Sequence, residues 1–223
     1  MAAPAPKPSA RRESRYSRPY VPETIKVQSQ HAQRVLERGF FRVAAALYAI
    51  DVVLRIIGDD DEMDQVDGIV DAMIQAFAQR MEAEIERLEG QRKQHGITKP
   101  VAYTQPRTLT VKISSPQLAL YTTLVQVLDR LMMEIDVLWL NRALSNKERK
   151  NAVYAWRVEL LEVGRKIVLL ERRAREAAVR QGKGAEVEEA TGDVAVVEEG
   201  VTGGEMETEF NEDANLSVRR QAV

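Results

Sequence analysis

The sequence predicts a mainly α-helical protein with four long helices, one short β-strand and a charged tail at each end. Three observations predict this. Apolar residues recur at intervals of three and four along four long stretches. One segment, TLTVKI (108–113), alternates at a period of two. The two ends have no apolar period at all. The chain has 223 residues and is 44% hydrophobic, enough for one core with tails attached.

Residues 1–22 are rich in Pro, Ala, Ser and Arg and read as a disordered basic arm. Five basic residues and one acid give the arm a balance of +4. The first helix is expected from about Gln30 to Ile57, with Val35, Leu36, Phe40, Val43, Leu47, Ile50, Leu54 and Ile57 as its stripe. Upstream, TIKV (24–27) alternates and reads as a short strand or a lead-in. The second helix is expected from about Asp61 to Gln94. It begins in GDDDEMD (58–64), where acids suit a helix N-terminus. The spacing there does not match a calcium loop, so a capped helix start is the reading. Met63, Val66, Val70, Met73, Phe77, Met81, Ile85 and Leu88 form its stripe.

A loop with two prolines (95–106) leads to the strand, which ends in Ser-Ser-Pro. Ser115 is a good N-cap, and Pro116 fits the first helical position. The third helix is expected to reach about Leu144, with Leu118, Leu124, Leu128, Leu131, Ile135 and Leu138 inside. Ser145 and Glu148 form a capping box for the fourth helix, which stops at Gly182. Val153, Trp156, Leu160, Val163, Ile167, Leu170 and Ala174 are its stripe, and Trp139 and Trp156 are expected in the core. Residues 184–223 carry eleven acids and two arginines, a balance of −9, and read as a disordered acidic tail. The body, 23–183, is left at +3 within a total of −2. From Lys147 to Lys183 there are eleven basic residues and five acids, so the fourth helix offers either a solvated face or a surface for phosphates or the tail.

Composition narrows the function classes. Without cysteine there is no disulfide and no thiolate metal site. His31 and His95 lie far apart and read as a helix-start surface residue and a loop residue. No metal, cofactor or small-molecule substrate is expected, and no enzyme motif is present. No apolar run approaches the roughly 18 residues of a membrane span, and the N-terminus lacks the apolar stretch of a secretory signal. The cytoplasm is the expected location.

The strand is the informative element, because a lone strand cannot satisfy its own backbone. Leu109, Val111 and Ile113 form one face. Arg107, Thr108, Thr110 and Lys112 are expected on the other. Strand, helix, helix is the ribbon-helix-helix order, here enlarged by long helices in a unit spanning 107–182. Two outcomes are open for the strand. It pairs with its copy in a second chain, making a homodimer, or with 24–27 of its own chain. In the first case the two-stranded ribbon would enter the major groove of double-stranded DNA, its Thr, Lys and Arg side chains meeting base edges. The N-terminus at Ser115–Pro116 would hold a phosphate.

Over residues 105–175 the sequence resembles the AcaB-like proteins of conjugative plasmids and integrating conjugative elements. The resemblance rests on Ser115–Pro116, Asp129–Arg130–Leu131, Ser145–Glu148 and Trp156. It implies a ribbon-helix-helix transcriptional regulator, an activator of conjugative-transfer genes. The alternative, of another class, is a helical scaffold of the transfer machinery that binds protein.

Overall fold

The computed structural model describes residues 19–192. Its elements run β1 (Val21–Val27), α1 (Gln30–Val35), a π-helical turn (Leu36–Phe40), α2 (Phe41–Ile57), α3 (Asp60–Gln94), β2 (Arg107–Ile113), α4 (Pro116–Leu140), α5 (Asn146–Arg180) and α6 (Gly184–Thr191). The protein is mainly helical, as expected. If α1 to α2 is taken as one rod, there are five helices among the described residues, one more than the sequence predicts. The ribbon-helix-helix comparison holds for the order β2–α4–α5 only.

Helix α4 is the axis of the fold. Leu118, Tyr121, Leu124, Val125, Leu128, Leu131, Met132, Ile135 and Leu138 are all essentially inaccessible. Burial of most of its circumference makes it a core helix, with one narrow exposed stripe through Pro116, Thr123 and Arg130. Helix α3 supplies Val70, Ile74, Phe77, Met81, Ile85 and Leu88, and α5 supplies Val153, Leu160, Val163 and Ile167. From α1, the π-helical turn and α2 come Val35, Phe40, Val43, Leu47 and Ile50. Helix α2 lies tightly on α5 at Gly164, where an added Cβ would stand 2.8 Å from Val43 Cγ2 and 3.3 Å from the Tyr121 hydroxyl. Phe40 stacks on Tyr121 at 5.9 Å.

The helix starts follow their sequence signals. Ser115 Oγ accepts from Leu118 N at 3.2 Å, with Pro116 next to it. Ser145 and Glu148 make the reciprocal capping box. Asp59 accepts from Glu62 N at 2.9 Å and caps α3. Helix α4 ends at Leu140, four residues early, in a turn where Arg142 takes φ 60°. After α5, Gly182 takes φ +75°, a conformation that favours glycine.

Three expectations need correction, and one open choice is decided. The partner of β2 is β1 of the same chain, antiparallel, with Val21 opposite Ile113, Thr24 opposite Thr110 and Val27 opposite Arg107. That pairing satisfies the strand without a second chain, so the strand gives no reason for a dimer. Because β1 begins at Val21, the predicted arm (1–22) overlaps the sheet by two residues. The predicted tail (184–223) begins with a helix: α6 places Val187 between Val53 and Ala178, and Arg175 reaches Glu188 at 3.2 Å. The rest of both tails, 1–18 and 193–223, lies outside the described residues. Trp139 and Trp156 are half-buried rather than core. Trp139 donates to Asn146 Oδ1 and lies under Arg149, and Trp156 lies against Phe77 with Arg80 over its ring.

Candidate nucleic-acid interface

A strand turns alternate side chains to opposite faces, and the register fixes which residues of β1 and β2 share one. Ile25, Val27 and Val111 are fully buried, so their face lies on the helices. The other face carries Pro22, Thr24 and Lys26 from β1 and Thr108, Thr110 and Lys112 from β2. All but Lys112 are exposed. Opposite one another across the strands stand Thr24 and Thr110, whose hydroxyls are 3.2 Å apart, and Lys26 and Thr108. The ammonium of Lys112, which is half-buried, stands 5.2 Å from the centroid of the Tyr20 ring. No carboxylate lies on this face. At about 3.4 Å per residue the ribbon is roughly 20 Å long.

Two of the predicted residues lie elsewhere. Arg107 is an odd-numbered residue, so it shares the facing of Leu109, Val111 and Ile113 and not that of Thr108, Thr110 and Lys112. It forms an ion pair with Glu37 of the π-helical turn. Ser115 is buried, and its hydroxyl is engaged by the cap of α4. Conversely, Thr24 and Lys26 supply part of the face and were not singled out. The signal for them was the alternation of TIKV, which carries no indication of where that segment pairs.

The face is held in place by buried carboxylates on α4. Asp129 accepts from Gln28 N at 2.8 Å and Ser29 N at 2.7 Å, fixing the junction where β1 becomes α1. Asp136 accepts from the Tyr103 hydroxyl at 2.8 Å and from Arg149 Nε at 2.7 Å, tying down the loop before β2. Burial, and then the bond to Asp136, push the Tyr103 phenol far above its ordinary range. Glu134 pairs with Arg92 at 2.7 Å, while burial raises its pKa. Gln33 adds amide bonds to the carbonyls of Val27, Gln28 and Gln105. Among the described residues no group of His, Asp or Glu could hold a metal ion. No helix there is long and apolar enough to cross a membrane.

No family model and no curated protein matches this chain. Among solved structures, it is similar to the crystal structure of selenomethionine-containing AcaB from uropathogenic E. coli. The two are 38% identical, the match covers 88% of this chain and 98% of that one, and the TM-score is 0.78. The chain belongs to the AcaB family. In this AcaB-family protein the residues that carry the sequence resemblance are structural. Asp129 caps the β1–α1 junction, Arg130 pairs with Glu82 of α3, and Leu131 is core. None of the three lies on the ribbon's exposed face.

Proposed function

We propose that this AcaB-family protein is a DNA-binding regulator of conjugation-related genes, and that it reads DNA with the outer face of its β1–β2 ribbon. The observation that supports this is a solvent-facing two-stranded ribbon bearing three threonines and two lysines and no acid. A two-stranded ribbon fits the major groove. Threonine hydroxyls bond several base edges, and lysines favour guanine O6 and N7. Each chain carries a complete ribbon, so a dimer on DNA would present two, one per half-site. The expected sign of regulation is activation, following the family resemblance.

The test is binding to the element's own promoters. Thr110→Ala and Lys26→Ala should each reduce the preference for promoter over unrelated DNA by about tenfold to a hundredfold, since a base-edge contact carries about 1–3 kcal/mol of discrimination. Thermal stability should stay nearly unchanged, because both side chains are exposed. If both variants discriminate like wild type, the ribbon is structural and the protein-binding scaffold becomes the better reading.

A further inference from the structure

Beside the ribbon, where β1 passes into α1, lies a polar cleft of about 510 Å³. Sites for small ligands commonly fall between about 300 and 1,000 Å³. Its walls include Gln30, Gln33, Arg34, Tyr103 and Gln105, together with the Arg107–Glu37 ion pair. That pair is internally neutral. Arg34 is half-buried and has no carboxylate partner among the described residues.

Behind Arg34 the positive charge is also uncompensated. His31, one helical turn earlier, has Arg34, Arg149 and Arg157 as its cationic neighbours and Asp136 as its anionic one. Asp136 already accepts from Arg149 and Tyr103. His31 Nδ1 and Arg157 Nε are both buried without a hydrogen-bond partner. Neither residue lines the cleft, so they make no contact there; Arg149 and Arg157 around one carboxylate that is already engaged make the surroundings of Arg34 favourable to an anion. The side-chain amides of Gln30 and Gln105 in the cleft wall suit the polar remainder of a ligand better than a bare ion, while the Gln33 amide is already engaged by three backbone carbonyls.

We propose that this cleft binds a phosphate group, with Arg34 as the contacting cation and Arg157 as a second charge behind it. The phosphate would belong either to a free phosphorylated small molecule or to the backbone of DNA lying on the neighbouring ribbon. Gln28 and Arg107 border both the cleft and the end of the ribbon, so the two sources share one site.

The chain has two histidines, which makes NMR of the ring resonances a direct probe. The full chain is titrated at constant ionic strength with inorganic phosphate, with adenosine monophosphate and with a duplex of arbitrary sequence. His31 should shift and saturate, while His95, exposed beyond α3, stays put as the internal control. Arg34→Gln should weaken the response about tenfold, the loss of one charge-assisted hydrogen bond. Arg173→Gln, on the exposed face of α5, should leave it unchanged. A response to the free phosphates assigns the site to a small ligand. A response to the duplex alone, with the salt slope of DNA binding lowered by about one in Arg34→Gln, assigns it to DNA backbone. If Arg34→Gln loses its fold by circular dichroism, Gln30→Glu places a carboxylate in the cleft and should likewise weaken the response. No saturable His31 shift with any of the three probes, or an undiminished shift in both cleft variants, overturns the proposal. Failure of the ribbon to read promoters would leave the free-phosphate result unaffected.

Discussion

His31 shows how one residue can belong to two elements at once. Its sequence position, at the start of a helix, suggests a surface side chain, but the ring packs inward from α1 toward α4 and α5. Burial is the main force lowering its pKa below the ordinary 6.5. Asp136 of α4 opposes that shift, and Arg149 and Arg157 of α5 with Arg34 of α1 add to it. The unfolded chain therefore binds this proton more readily than the folded one. Stability from the neutral ring is complete above the unfolded pKa and is lost as pH falls below about 6.5 toward the folded value. Glu134 and Asp67 have raised pKa values, and their contributions run the opposite way in the carboxylate range. The urea midpoint should fall between pH 7 and pH 5.5, and His31→Asn should flatten that fall. An equally steep fall in the variant would place the titration elsewhere.

At the scale of elements, what the sequence revealed was whatever is decided locally. Ser115–Pro116, the Ser145–Glu148 box and Asp59 each start a helix within four residues, so spacing alone locates them. The stripe of α4 was legible because the helix, though mostly buried, keeps a polar stripe through Thr123 and Arg130 that leaves an apolar period in the sequence. The pairing of β2 was legible only as one of two outcomes, since its partner in the chain lies eighty or more residues away and register is a tertiary property. The π-helical turn at Leu36–Phe40 also escaped, because the stripe keeps intervals of three and four straight through it. Helix α6 escaped because its glutamates read as a solvated tail, and one valine in a small pocket is too weak a signal. Asp129 belongs to this scale as well. Its side chain is on α4, and what it stabilises is the joint between β1 and α1. Asp129→Ala would leave two N–H donors unsatisfied, one of them on the fully buried Ser29. At about 1–3 kcal/mol per lost partner, the variant should lose roughly 3 kcal/mol. Asp129→Asn, which keeps an acceptor oxygen, should lose less. A loss under about 1 kcal/mol in chemical denaturation of Asp129→Ala would mean the joint is held by packing alone.

For the whole molecule, the question is whether one chain is a complete folding unit. The sequence left this open, because a strand that must pair can do so with itself across a two-fold axis. In the structure β1 closes the ribbon within the chain, and its inner face joins the same core as α1 to α5. The other supports of the ribbon are also internal: Asp129 under one end, Gln33 against Gln105, and Asp136 on Tyr103. Folding should therefore be unimolecular, whatever assembly the proposed DNA binding involves. The thermal midpoint should stay constant across a hundredfold range of protein concentration. An obligate dimer would gain about 2.7 kcal/mol per dimer over that range by mass action, which shared between two chains of this size is a rise of roughly 3–5 °C. Such a rise would put the strand pairing between chains and make each ribbon a joint product of two protomers. A flat midpoint, together with light scattering from a folded monomer in the absence of DNA, would mean, on the DNA-binding reading proposed above, that DNA itself brings two ribbons to adjacent half-sites.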